Sequence, residues 1–290
     1  MLTSNAKSSF QRKLTINIGG HLIDLMEPKI MGILNITPDS FYDGGRYDLM
    51  DPINKRISSL IDEGADFIDI GAVSSRPGAG AVSMDKEWER LEPVLRILRE
   101  KHPAMLISVD TYRSEIVRRT YNLVGSFLVN DISGGDFDED MFQTISELKI
   151  PYLMMHMQGE PATMQQNPQY DDVVVDICKI FASKLEKLYT LGVNDVLLDP
   201  GFGFGKTVEQ NYELLDRLEE FKIFEIPLVV GLSRKSMIYK ALDTSPEEAL
   251  MGTSVLNAIA LNSGARLLRV HDVKEAKQVV KLAALLKQSR

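Results

Sequence analysis

Short apolar runs alternate along this chain with longer stretches in which apolar residues recur every three or four positions. The runs predict buried strands at Ile30 to Ile36, Phe67 to Ala72, Leu106 to Thr111, Phe127 to Ile132, Tyr152 to Met157, Asp195 to Pro200, Leu228 to Ser233 and Leu267 to His271. The stretches predict amphipathic helices at Asp51 to Glu63, Ser83 to Lys101, Asp171 to Leu191, Val208 to Phe221, Glu247 to Asn262 and Val273 to Lys287. Asp51-Pro52 predicts a cap with proline in the first turn, and Gly64 and Gly192 stand where left-handed C-terminal turns belong. Ahead of the repeat, Leu14 to Ile18 and His21 to Leu25 flank Gly19-Gly20, a hairpin signal. Eight strands alternating with helices match an α/β fold of the (β/α)8 TIM barrel type better than an open, doubly wound sheet, the second reading. No linker divides the chain. Residues 1–27 therefore read as an extension carrying the β-hairpin, and residues 28–290 as one barrel domain.

Composition narrows the function classes. With 290 residues, 44% hydrophobic and 26% charged, the chain can bury one large core. A net charge of −8 argues against nucleic acid or a membrane surface as the main partner, yet leaves room for a locally basic cleft and an anionic substrate. The single cysteine, Cys178, cannot build a disulfide framework, so a reducing, cytoplasmic location is expected. Residues 1–20 lack an apolar signal core, and no run reaches the length needed to span a bilayer.

In a barrel of this kind the strands' C-terminal ends surround one pocket, which makes polar residues there informative. The first strand ends in Asn35 and runs into a polar loop with Asp39, Phe41, Asp43 and Gly44-Gly45. The second leads into Ser74-Ser75-Arg76-Pro77-Gly78, and the third ends in Asp110-Thr111. The fourth carries Asn130-Asp131 and the fifth His156. The sixth gives Asp199 followed by Pro200-Gly-Phe-Gly-Phe-Gly-Lys206, the seventh Ser233-Arg-Lys-Ser236, and the eighth Arg269 and His271. Taken singly, each has a plain structural explanation: Asp110 or Asp131 as the start of a helix, His156 as a satisfied core histidine, the glycines as a flexible turn. Convergence on one pocket is what favours chemistry. Asp110 and Asp199, with Asn130, suit a heterocycle presenting adjacent N–H donors. Lys235 and Arg269 suit its opposite edge or ring face. Arg269, His271 and Asn35 suit an anion, and Asn35 can give an oxygen to a hard cation. Zinc is disfavoured by the scatter of the four histidines, and no nucleophile elbow follows any strand.

Together these ends closely resemble the dihydropteroate synthase family, in order from Ile30 to Asp272. The motifs are Ile33-Leu-Asn-Ile-Thr-Pro-Asp-Ser-Phe-Tyr-Asp-Gly-Gly45, Ser75-Arg-Pro-Gly78, Ser108-Val-Asp-Thr111, Val129-Asn-Asp-Ile132, Met155-His-Met-Gln-Gly159, Leu198-Asp-Pro-Gly-Phe-Gly-Phe-Gly-Lys206, Ser233-Arg-Lys-Ser236 and Arg269-Val-His-Asp272. The resemblance implies a folate-biosynthesis transferase that joins 4-aminobenzoate to 6-hydroxymethyl-7,8-dihydropterin diphosphate. It implies that Asp110, Asn130, Asp199, Lys235 and Arg269 hold the pterin. It places Asn35, Arg269 and His271 at the diphosphate, with Asn35 at Mg²⁺. Phe41, Ser75, Arg76, Pro77, Phe204 and Ser236 would surround 4-aminobenzoate, which sulfonamides mimic. Asp43, Lys235, Arg269 and His271 form the implied catalytic set, Asp43 stabilising a cationic methylene once diphosphate departs. A homodimer through the later helices is also implied.

One departure stands out. Many family members read Gly-Gly-Glu-Ser-Thr-Arg-Pro-Gly in the second loop, where this chain has Gly71-Ala-Val-Ser-Ser-Arg-Pro-Gly78. Ser75 keeps the hydroxyl of the threonine it replaces; Val73 loses the acid. Two other readings stay open on the residues: a methyltetrahydrofolate:corrinoid methyltransferase on the same barrel, and a non-catalytic pterin-binding paralogue.

Overall fold

Alternation with period two decides what each strand turns inward. The computed structural model describes residues 14–37, 50–74, 82–160, 163, 164, 166 and 168–288. Its barrel strands are β3 (Lys29–Asn35), β4 (Phe67–Gly71), β5 (Leu106–Asp110), β6 (Leu128–Asp131), β7 (Tyr152–Met155), β8 (Val196–Asp199), β9 (Leu228–Val230) and β10 (Ala265–Val270). All eight are parallel, pair in chain order, and close through β10 on β3, which is the (β/α)8 TIM barrel. Each strand gives one residue to an inner apolar layer: Met31, Phe67, Leu106, Leu128, Leu153, Leu197, Val229 and Leu267. The hairpin β1 (Thr15–Ile18) and β2 (His21–Asp24) caps that layer with Ile16 and Ile18, so the lower half of the barrel is a packed plug. Two residues further along, the same face turns polar on five of the eight strands, at Asp69, Ser108, Asn130, Asp199 and Arg269. The switch from plug to site is built into the alternation.

Around the strands lie α1 (Met50–Asp62), α2 (Met84–Lys101), α3 (Ser114–Val124), α4 (Met141–Leu148), α5 (Val173–Thr190), α6 (Val208–Asp216), α7 (Ser236–Tyr239), α8 (Leu250–Ser263) and α9 (Val273–Gln288). Their inner stripes pack on the strands' outward residues in a second, larger core. Capping fixes several starts. Ser83 accepts from Lys86 N–H, Asp172 from the N–H groups of Val174 and Val175, and Thr207 forms a reciprocal box with Gln210. Gly64 and Gly192 adopt positive φ (93° and 79°) at helix ends, as the sequence indicates.

The fold also corrects the pattern. Asp51 lies inside the first turn of α1, not ahead of it as a cap, while Pro52 occupies that turn as expected. α3 and α4 fall in stretches where no helix was assigned. The helix expected over Val208 to Phe221 stops at Asp216 and continues as a 3₁₀ turn, Leu218–Phe224. At the break, Arg217 pairs with its local neighbours Glu213 and Glu220 and with the distant Asp172, the one partner the local pattern does not encode. The strand expected over Leu228 to Ser233 keeps only three residues, because the chain leaves the sheet to turn at Arg234, which has φ 58°.

Candidate active site

Strand register brings Asn35, Gly71, Asp110 and Asn130 onto one level across four neighbouring strands, β3 to β6. One layer below, Asp69 on β4 stands beside Ser108 on β5. Asp69 is fully buried and surrounded by donors: Ser108 Oγ at 2.6 Å, Arg269 Nε at 2.7 Å, and Asn130 Nδ2 at 3.2 and 3.3 Å from its two oxygens. The sequence reading did not single out Asp69. A lone acid at an inward position of an apolar strand was the available signal, since a buried carboxylate demands partners.

Arg269 reaches inward from β10 and spans two carboxylates, donating Nε to Asp69 and Nη2 to Asp110 at 3.1 Å. Burial alone would lower its pKa, but Asp69 and Asp110 outweigh it and fix the positive charge. Asp110 is pushed up to about 7 by burial, opposed by Arg269 and reinforced by the negative charge of Asp69.

The facing wall comes from β8 and the loop after it. Asp199, buried, accepts the N–H of Gly201 at 2.7 Å. Burial raises its pKa, with Lys235 opposing. Gly201 and Gly205 have left-handed φ of 72° and 59°, and a Cβ at Gly201 would lie 1.8 Å from the carbonyl oxygen of His156. Lys206 locks this loop from beneath by donating to Gly201 O (2.9 Å) and Phe204 O (3.0 Å), with His156 Nδ1 at 3.1 Å. His156 is thus a buried structural partner, the plain reading of that residue. Above the loop, Lys235 donates to Phe202 O and holds its ammonium 4.7 Å from the centre of the Phe204 ring. Burial lowers Lys235 to about 8, against the pull of Asp199.

The ends of β9 and β10 are tied together. Ser233 Oγ accepts the backbone N–H of His271 at 3.2 Å and lies 2.9 Å from His271 Nδ1. A hydroxyl carries one donor and two acceptor sites, so Ser233 holds the ring by donating to Nδ1 or by accepting from it, according to the imidazole tautomer. Burial, with Arg269 and Arg234 adding to it, lowers His271 to about 4, so the ring is neutral at physiological pH. Arg234 pairs with Asp272 through both Nε (3.1 Å) and Nη2 (2.6 Å), and Arg56 donates to His271 O at 2.6 Å. Ser236 opens the four-residue helix α7 next to Lys235.

Asn35 meets the test for a hard cation. Asn35 Oδ1 and Asp110 Oδ2 both lie beside Gly71, 3.3 and 3.7 Å from where a Cβ would stand, so two oxygens approach the same backbone position. Magnesium needs few protein oxygens when substrate phosphates and water complete its shell. Phe41, Asp43, Ser75, Arg76 and Pro77 lie outside the described residues. Asp131, by contrast, turns away from the pocket: it accepts from Ser133, Gly135 and the Tyr152 hydroxyl, and shapes the turn after β6.

Residues 31–271 match the family model of pterin binding enzymes. The chain is 42% identical over 265 residues to the dihydropteroate synthase of Escherichia coli K12, covering 91% of this chain and 93% of that one. Among solved structures it resembles Yersinia pestis dihydropteroate synthase in complex with a sulfonamide drug, with TM-score 0.87, 37% identity, and 95% and 100% of the two chains covered. It also resembles Xanthomonas albilineans dihydropteroate synthase with 4-aminobenzoic acid, with TM-score 0.88, 33% identity, and 95% and 99% covered. The chain belongs to the pterin binding enzymes, and within them to the dihydropteroate synthases.

Proposed function

We propose that this chain joins 4-aminobenzoate to 6-hydroxymethyl-7,8-dihydropterin diphosphate, releasing diphosphate and forming 7,8-dihydropteroate. The observation that carries the reading is the set of acceptors formed by half-buried Asp110 and buried Asn130 and Asp199, faced by Lys235 and Arg269. A pterin offers ring and exocyclic N–H donors on one edge and a carbonyl on the other, and such a pocket complements both. Phe204, beneath the Lys235 ammonium, would line the aminobenzoate slot, with Ser236 near its carboxylate. Phe41, Asp43, Ser75, Arg76 and Pro77 keep the roles that the resemblance implies.

Chemistry follows from where charge develops. His271, neutral in the pocket, and the fixed charge of Arg269 would together stabilise the oxygens of the departing diphosphate. Asn35 would hold Mg²⁺, which when bound neutralises phosphate charge. Asp43 would face the cationic methylene, and the neutral aromatic amine attacks it.

Incubation of the protein with both substrates and Mg²⁺ is expected to yield dihydropteroate. The rate constant kcat/KM for the pterin substrate should peak between pH 7 and 8. Below about 7, Asp110 gains a proton and loses an acceptor, so the rate falls as pH falls; above about 8, Lys235 loses its charge and the rate falls again. Asp110→Asn should abolish the acid limb. Absence of product across the range would leave a pterin-binding protein without this activity.

A homodimer is part of the same proposal. Met251, Val255 and Ile259 recur every four residues on the outer side of α8 and are 75%, 51% and 42% exposed. Beside them α9 presents Leu282 and Leu285, making one apolar face. A solution mass twice the 32.5 kDa of the chain supports it, and a stable monomer removes it. No helix among the described residues is long and apolar enough to cross a membrane. The single cysteine, Cys178, leaves the chain without an internal disulfide, which supports the cytoplasmic reading.

A further inference from the structure

Asp69 touches no open part of the pocket, yet it contacts two groups that do. Its partners divide between its two oxygens. Oδ1 accepts from Ser108 Oγ at 2.6 Å, Oδ2 from Arg269 Nε at 2.7 Å, and Asn130 Nδ2 lies across both at 3.3 and 3.2 Å. An amide has two faces, and its reversal would place Asn130 Oδ1 against two carboxylate oxygens, acceptor against acceptor in a site sealed from water. Asp69 therefore forbids the reversal. The other end of the amide is the informative one: Asn130 Oδ1 takes no hydrogen bond from the described residues, and it is not among the sealed polar atoms left without a partner. It is an acceptor open to the pocket on a residue that is otherwise 4% exposed.

We propose that Asp69 is the positioning residue that makes Asn130 an acceptor, and so sets the preference of this site for an amino group on the bound heterocycle. The inference rests on the pterin reading of the pocket. Asn130 Oδ1 then pairs with the exocyclic amine of a pterin. A ring bearing a carbonyl at that position meets an acceptor and is rejected, since a buried polar group left unpaired is costly. Asp69 acts at a distance, through the amide, and simultaneously keeps the Arg269 fork facing Asp110.

The change Asp69→Asn isolates this role. The new side chain can keep its oxygen toward Arg269, and the Ser108 hydroxyl can rotate to accept from its amide. Asn130 is then left facing one acceptor at the Oδ2 position and one donor at the Oδ1 position, so either orientation of its amide is satisfied and the lock on its direction is lost. Calorimetric titration would compare pterin with lumazine, the analogue carrying a 2-oxo group in place of the 2-amino group. The unaltered protein should favour pterin by about a hundredfold, and Asp69→Asn should reduce that ratio by about tenfold or more. A purely structural role would weaken both ligands equally and leave the ratio unchanged, which overturns the proposal. The exchange Asp69→Asn/Asn130→Asp restores a donor-to-carboxylate bond and an open acceptor, so it should return the ratio to within about threefold of the original. If Asp69→Asn does not fold, as thermal unfolding will show, the exchange variant decides: a retained ratio supports the proposal and a collapsed one overturns it. Failure of the pterin reading looks different, because the unaltered protein would then show no preference for pterin.

Discussion

Arg269→Ala is expected to lower kcat/KM by about three orders of magnitude or more and to destabilise the fold by about 3–5 kcal/mol. Both effects come from one arrangement. The guanidinium is the charge partner of Asp69, 0% exposed, and of Asp110, 16% exposed, so its removal strands two carboxylates in a low-dielectric cavity. Truncation also removes the fixed positive charge where the leaving diphosphate would lie, an interaction most valuable in the transition state. For a chain of this length the melting temperature should drop by on the order of 10 °C. Arg269→Lys separates the two losses. It keeps the charge and recovers part of the stability, but a single ammonium cannot span Asp69 and Asp110 as the planar fork does, so activity stays low. Thermal unfolding and steady-state kinetics on both variants check this. Activity within threefold of the original in Arg269→Ala would remove Arg269 from the site.

Gly201→Ala is expected to be nearly as damaging, though it adds only a methyl group. The residue has φ 72°, and the new Cβ would lie 1.8 Å from a backbone oxygen, that of His156, which cannot move without disturbing β7 and the loop that follows it. The loop must shift, and with it three linked features: the Gly201 N–H that Asp199 accepts, the Gly201 carbonyl that Lys206 holds, and the Phe202 carbonyl that Lys235 holds. We expect a loss of about 3 kcal/mol or more, together with at least about tenfold weaker pterin binding. Denaturant unfolding measures the first and calorimetry the second. Loss of stability with pterin affinity intact would show that the loop supports the barrel without shaping the pocket.

Much of the architecture was legible in the residues because it is local. Apolar runs bounded by polar ends gave eight strands, and Gly64 and Gly192 marked helix ends through chemistry confined to one turn. Asp110, Asn130, Asp199, Lys235, Arg269 and His271 were visible because each closes a strand, and closure of the barrel gathers strand ends. Asp69 was not. It stands in mid-strand, where an acid gains meaning only from neighbours on β5, β6 and β10, up to 200 positions away in the chain. The break at Arg217 was hidden for the same reason, since Asp172 lies 45 positions away.

The sequence by itself determined which residue types face the pocket, because strand alternation is a property of the backbone and needs no partner. It marked the left-handed turns at Gly64 and Gly192, since glycine enters them without strain, but not the one at Arg234. Only the tertiary structure decided how those groups are charged and which way they point. Asp110 near 7, His271 near 4, and Asn130 with its oxygen outward depend on burial and on partners from other strands. Electrostatic free energy depends on distance and solvent exclusion, and neither exists until the barrel closes.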